Sequence, residues 1–334
     1  MERQSSDRVV KRYEIKYTER LVPGKNPVWF TSQGCRLEGN IYTPSHFDSS
    51  QRYPALITCN PAGAVKEHSA AFYSEKLKEH GYLLLAFDNR SWGESEGFPR
   101  YTEDPFMKVE DNKNATTFMS CLDNVDTNRM GILGICSGAG YAAYTACFDI
   151  RLRAVATVAG IFDFAGWITS SSEIGFEEML LRSANARKTY YQTSRAEYVD
   201  GWFGETPFAK NSAGWTKRNQ LWNELSQYYR EGGDRGWYKP TAGDHRSAQC
   251  VDNRYMMNVN PMLKYLNDRR MLAIREALNF TGPNSDEAIR HVNPGKGEVF
   301  VVPGASHTDL YHVEAHVNKA VAKLTDFFGS TLGK

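Results

Sequence analysis

The chain has 334 residues, of which 41% are hydrophobic and 24% charged, with a formal net charge of +1. That composition is ordinary for a globular protein and excludes low-complexity and collagen-like chains. The balanced charge leaves no basic surface of the size nucleic acid demands, and no apolar run approaches the roughly 20 residues that cross a bilayer. The opening MERQSSDRVVKRYE lacks the apolar stretch of a secretory signal, so a cytoplasmic location is expected. Six cysteines, at 35, 59, 121, 136, 147 and 250, are too sparse and irregular for a disulfide scaffold. Without a CxxC pair or a Cys/His cluster, neither a metal nor another cofactor is expected.

In chain order, RYEIKYTE, VWFTSQ and RLEGNIYTP alternate roughly and are separated by turn residues, which reads as β structure. YPALITCN (53–60) is a short buried strand ending in Pro-Ala-Gly. HSAAFYSEKLKEHG follows as a helix that Gly81 caps. YLLLAFD (82–88) is a second buried strand. A helix near 110–122 leads to the strand MGILGIC (130–136), then to the small-residue helix GAGYAAYTACF and the strand RAVATVAGIFD (153–163). Near-continuous apolar strands alternating with helices predict an α/β fold, with a mostly parallel sheet flanked by helices.

The pattern stops at Asp163. It resumes with MLAIREALNF (271–280), EVFVVPG (298–304) and a last helix. The expected division is therefore a core of 1–163 and 256–334, interrupted at 164–255 by an inserted helical lid. That insertion holds five of the seven tryptophans: Trp167, Trp202, Trp215, Trp222 and Trp237. Trp167 and Trp202 are candidates for a substrate pocket. The other reading of the insertion is a second packing domain with its own aromatic core.

Gly134-Ile135-Cys136-Ser137-Gly138 lies between a buried strand and a helix. This is a G-x-S-x-G elbow with cysteine in the serine slot. The sharp turn needs glycines where side chains would clash, and the helix N-terminus favours a thiolate at its apex. Cys136 is the candidate nucleophile, with Ser137 its neighbour and rival. The Ser137 N–H is one candidate oxyanion donor. Ala62 N–H, in the Asn60-Pro61-Ala62-Gly63 turn, is the second. A competing reading takes Gly138 to Ala143 as a G-x-G-x-x-A dinucleotide fingerprint.

A thiol at such an elbow needs a base and an orienting group, in chain order nucleophile, acid, histidine. His307, in the loop after VFVVPG, is the candidate base, and His312 the near alternative. For the acid, Asp163 at the end of the strand before the lid is preferred. Asn279, after the strand that follows the lid, is the alternative, with Glu276 nearby. Asp163 has a plain role open to it as well, as a helix cap. Asp88 to Ser95 reads as a loop-pinning element.

Together, ITCNPAGAVKEHSAAFY, AFDNRSWGESEG, GILGICSGAGYAA and VPGASHTDLY resemble the bacterial YcjY-type hydrolases and their fungal relatives of the polyketide transferase group, α/β-hydrolases similar to dienelactone hydrolases. The likeness spans 53–163 and 298–312 and is poor over the lid. It implies the α/β-hydrolase fold, a cysteine nucleophile at Cys136, a histidine at His307, and acyl transfer or hydrolysis on polyketide-like acyl groups held as thioesters. The chain departs from the pattern at Asn60, where histidine is common, and again after the lid.

The expected function is thus a thioesterase, acyltransferase or hydrolase acting through an acyl-Cys136 intermediate of a Cys136–His307–Asp163 triad. Its partner is a small-molecule acyl substrate, free or presented on a carrier protein, with a homodimer left open. The alternatives are a small-ester esterase or lactonase, and a non-covalent cyclase or ligand-binding protein on the same fold.

Overall fold

The computed structural model describes residues 20–166, 176–199, 217–231, 246–278 and 281–333. The expected strand RYEIKYTE (12–19) lies outside them. Gly24–Ser32 (β1) and Cys35–Thr43 (β2) form an antiparallel hairpin. Its two-residue turn places Gln33 and Gly34 at φ 49° and 83°, the left-handed geometry that matches strand twist.

The remaining strands are Tyr53–Cys59 (β3), Leu83–Phe87 (β4), Val125–Ile135 (β5), Leu152–Val158 (β6), the two-residue Tyr198–Val199 (β7) and Arg246–Ser247 (β8), Arg270–Glu276 (β9) and Gly297–Val302 (β10). Eight of them make one sheet in the order β1-β2-β4-β3-β5-β6-β9-β10, while β7 and β8 pair separately. β4 to β10 of the large sheet run parallel; only the β1–β2 and β2–β4 pairings are antiparallel.

Leu83, Leu84 and Leu85 are each fully buried. Successive strand residues face opposite sides of a sheet, so both faces here are covered. Each such leucine contributes on the order of 1.5–3 kcal/mol of burial. The cover comes from helices. Ser69–Leu77 packs with Glu314–Leu332, and Pro105–Ser120 with Ser137–Phe148. Pro105–Ser120 begins earlier than its apolar pattern suggests. Asp104 caps it by accepting the N–H of Phe106 at 2.8 Å and of Met107 at 3.0 Å, and Pro105 takes the first helical position.

Two strands are shorter than their apolar runs. β6 stops at Val158 because Ala159 turns the chain at φ 49°; Ile161, Phe162 and Phe164 remain buried beyond it. β9 stops at Glu276. Between β6 and β9 the described residues include the helices Phe176–Thr193 and Lys217–Ser226. Leu221, Leu225, Tyr228 and Tyr229 of this stretch are buried against the core. No helix among the described residues is long and apolar enough to cross a membrane.

Candidate active site

β5 ends at Ile135 and the next helix begins at Ser137, so Cys136 occupies the turn between them, at φ 56° and ψ −123°. A non-glycine residue there carries strain of order 1–3 kcal/mol and must be held by its surroundings. Its N–H donates to Val158 O at 2.9 Å, and its carbonyl accepts from Ala139 N at 3.0 Å and Ile161 N at 3.2 Å. The flanking glycines are steric requirements. A Cβ on Gly134 would meet Gly138 O at 2.3 Å, and one on Gly138 would meet Asn60 O at 2.4 Å. The residues Gly138 to Ala143 thus lie inside the helix Ser137–Phe148 rather than in a phosphate-binding turn.

The second of those contacts shows the Asn60–Gly63 turn lying against the elbow. Ala62 is buried, and its N–H makes no hydrogen bond among the described residues. Its carbonyl accepts from Tyr229 Oη at 3.1 Å. Gly63 N–H donates to Glu103 at 3.3 Å. Glu103 is itself fully buried, paired with Lys108 Nζ at 2.7 Å and accepting from Tyr141 Oη at 2.7 Å. The turn is therefore clamped from both sides. The Asp88 loop pins the chain just beyond it: the Asp88 carboxylate accepts Lys66 N at 2.6 Å and Glu94 N at 3.0 Å, and pairs with Lys66 Nζ at 2.8 Å.

His307 follows β10 and is fully buried. Its Nδ1 lies 2.7 Å from Thr281 Oγ1, and the Thr281 hydroxyl donates in turn to Glu276. Glu276 Oε1 is 4.0 Å from Nδ1, so the ion pair runs largely through the threonine hydroxyl. On the other side, His307 Nε2 lies 2.8 Å from Tyr311 Oη. His307, Tyr311 and Ser137 line the same small cavity as Cys136.

These contacts set the charges. Burial pushes the Cys136 thiol up, but the charge of the neighbouring His307 and the polar groups around the sulfur outweigh it and leave the thiol below its ordinary value. Burial pushes the His307 imidazole down, but the Cys136 thiolate and Glu276 outweigh it and raise it. Glu276 is likewise lowered: the His307 charge and the Thr281 hydroxyl overcome its burial. All three shifts favour the charged forms, a thiolate and a carboxylate on either side of an imidazolium.

One expected site residue is elsewhere. Asp163 bridges Asn258 through its backbone, and its carboxylate accepts Gly166 N–H at 3.0 Å. It is not among the partners of His307. The chain leaves β6 at Ala159 before reaching Asp163, whereas β9 ends on Glu276 directly beside β10, in register with Val302. Ala277 N and Leu278 N both donate to Ala305 O at 3.2 Å, which stitches the two loops together and carries Glu276 to His307. Asn279, Trp167 and Trp202 lie outside the described residues. His312 Nδ1 is engaged by the carbonyl of Thr308 at 2.8 Å, and the Ser137 hydroxyl stands 4.0 Å from the sulfur.

Over the sulfur is a cavity of about 20 Å³, room for a single water. Cys136, Ser137, His307 and Tyr311 line it on one side, and Ala62, Ile161, Leu221, Trp222, Leu225 and Tyr229 complete the lining. Thr281 and Tyr311 were not singled out as site residues from sequence, and Glu276 only as a neighbour of Asn279. The i, i+4 spacing of His307 and Tyr311 and the charge ending the apolar run of β9 are the signals that mark two of them.

A lowered thiol has a measurable consequence. Alkylation of Cys136 by iodoacetamide should slow less between pH 9 and pH 7 than that of an ordinary thiol of pKa about 8.5, which slows some 25-fold over that range. Mass-resolved labelling of the Cys136 peptide against pH checks this; a rate falling as for a free thiol would contradict the ion pair.

A strained strand-to-helix apex, a buried histidine after the last strand and a mostly parallel sheet define an α/β-hydrolase. Residues 33–241 match the profile of the X-Pro dipeptidyl-peptidase (S15) family, more than half of the sequence. The chain belongs to that family. It is 30% identical over 314 residues to the uncharacterised protein YcjY of Escherichia coli K12, covering 92% of this chain and 99% of the relative. To the uncharacterised protein PA2218 of Pseudomonas aeruginosa it is 30% identical over 285 residues, 83% of this chain and 73% of the relative. A shorter stretch of 135 residues is 32% identical to the thiohydrolase aneE of Aspergillus aculeatus, 40% of this chain and 41% of that one. Among solved structures, PA2218 superposes with a TM-score of 0.80 at 24% identity, over 95% of this chain and 99% of its own. The α/β-hydrolase GrgF of a Penicillium species does so at 0.75 and 21%, over 94% and 100%.

Proposed function

We propose that the protein is a cysteine-dependent acyl hydrolase or acyltransferase acting on apolar acyl thioesters. The observation that carries the reading is a buried thiol at a strained apex, held low by an imidazole that a buried carboxylate supports. In this reading the Cys136 thiolate attacks the acyl carbonyl and forms the new C–S bond. The resulting oxyanion faces the N–H groups of Ser137 and Ala62. Collapse breaks the bond to the leaving sulfur, which takes a proton originating on His307. Neutral His307 then accepts a proton from water or another acceptor as that nucleophile releases the acyl group from Cys136.

A thiol nucleophile suits thioesters because one C–S bond replaces another at little cost. The similarity over part of the chain to a protein named thiohydrolase agrees with that choice. The residues 164–255 are assigned as a lid over the pocket; its described portion supplies Leu221, Trp222, Leu225 and Tyr229, an apolar wall for an acyl chain.

The test is a series of acetyl, hexanoyl and decanoyl thioesters, with intact-mass detection of the acylated protein. Expected are an adduct of acyl mass on Cys136 and a kcat/KM that rises with chain length. Each buried methylene contributes about 0.8 kcal/mol, or roughly fourfold. A flat or falling series would favour a small-ester esterase or lactonase. Turnover without any adduct on Cys136 would favour non-covalent chemistry.

A further inference from the structure

We propose that Tyr311 is a catalytic residue of this site, its hydroxyl passing the His307 proton on to the leaving sulfur. This rests on the assignment of Cys136 as nucleophile above. The geometry that carries it is one hydroxyl bonded to the imidazole in the cavity where the sulfur lies. Tyr311 Oη is 2.8 Å from His307 Nε2, and Tyr311 lines the same cavity as Cys136. Nδ1 is committed to Thr281 on the far side, so the proton that the imidazole can exchange with the nucleophile's side of the site sits on Nε2. That nitrogen points at the tyrosine oxygen.

The residue is fully buried and lines the cavity over the sulfur. Its ring stands edge-on to His307 at 5.2 Å and to Tyr228 at 5.1 Å, which fixes where the hydroxyl points. Anchoring the backbone is not its task. The short helix Asp309–His312 that bears it is held by other side chains: Tyr73 Oη donates to Leu310 O at 2.8 Å, and the Asp309 carboxylate accepts Ser306 N at 2.9 Å.

In the resting site, Nε2–H donates to Tyr311 Oη, which leaves the tyrosine O–H to turn towards the thiolate in the shared cavity. Once sulfur has bonded to the acyl carbon it no longer attracts that hydrogen, and the hydroxyl is free to face the leaving sulfur. As the C–S bond to the leaving group breaks and its electron pair goes to that sulfur, Tyr311 gives it a proton and takes one from Nε2–H. The leaving thiol departs neutral, Tyr311 is restored, and His307 is left as the neutral base that the second half of the reaction needs. Burial and the adjacent Cys136 charge hold the phenol well above its usual value, so no phenolate accumulates and the two transfers are coupled.

Tyr311→Phe removes one oxygen and keeps the ring. The informative measurement is the pre-steady-state release of thiol from two hexanoyl thioesters. One has an alkyl thiol leaving group, which needs a proton. The other has 4-nitrothiophenol, which departs as a stable anion. Expected is a loss on the order of 10²-fold with the alkyl thioester and less than about threefold with the aryl one. Equal losses on both substrates, or no loss on either, would overturn the proposal, the first because it signals a structural role. A failure of the underlying reading shows differently: the wild-type protein would release thiol without gaining an acyl adduct on Cys136, which sinks both.

Discussion

Cys136→Ala is expected to lower kcat by about 10⁴-fold or more while leaving the fold intact. Losses of that size are typical when the nucleophile of a concerted site is deleted, since the remaining groups then serve only to bind and polarise. Stability should change little, for reasons visible at the apex. Alanine keeps the Cβ, so the strain at φ 56° is the same in both proteins, and the N–H and carbonyl of residue 136 keep their partners Val158, Ala139 and Ile161. Only a sulfur atom facing a small cavity is removed. The imidazole loses the thiolate that raises it and titrates lower, still hydrogen-bonded through Thr281 to Glu276. Ser137→Ala, in contrast, removes a hydroxyl 4.0 Å from the sulfur and leaves the backbone N–H in place, so activity should stay within a few-fold of wild type. Thioester turnover and thermal melting of both variants check this. An inactive Ser137→Ala beside an active Cys136→Ala would transfer the nucleophile's role to the serine.

The parts of the site legible from sequence are those that local backbone sterics dictate. Gly134 and Gly138 are required by contacts within the elbow and with the adjacent Asn60 turn, so a strand, a G-x-C-x-G and a helix suffice to locate Cys136. His307 is legible because a Pro-Gly turn ends β10 just before it. Glu276 was legible only as a neighbour of Asn279, because its place beside His307 depends on where β9 stops and on its register with β10, both tertiary facts. The apolar run MLAIREALNF looks as though it continues to residue 280, which puts the end of the strand past Glu276. RAVATVAGIFD likewise looks like one strand, yet its last apolar residues are buried after the chain has left the sheet. Burial without pairing produces the same sequence pattern as burial with it. Tyr311 and Thr281 sit one helical turn beyond His307 and in a neighbouring loop. Nothing in their own segments reveals that both hydroxyls converge on one imidazole.

Glu276→Gln is expected to cost about 10²–10⁴-fold in kcat, and Asp163→Asn almost nothing. The reasoning is electrostatic. A buried imidazolium needs a counter-charge, and an amide of the same shape supplies a dipole without one. With glutamine at 276 the Thr281 hydroxyl still bridges to Nδ1, so the ring keeps its place but loses the charge that holds its proton. The imidazole then titrates lower, the thiolate loses its cation, and the Cys136 thiol rises. Alkylation at pH 7 should therefore slow in the same variant, while alkylation at pH 9 recovers. The pH dependence of the wild type has the matching sign. Glu276 is held below the ordinary carboxylate range, so its contribution is present above that range, about 4.3, and disappears only as pH falls through its lowered folded value. Activity at pH 5 should for that reason still depend on the Glu276 charge. At position 163 the asparagine carbonyl oxygen can accept the Gly166 N–H as the aspartate does, which leaves the turn and the bridge to Asn258 in place. Comparing kcat and Cys136 alkylation for the two variants decides the matter; a larger loss in Asp163→Asn would return the orienting role to the segment that follows β6.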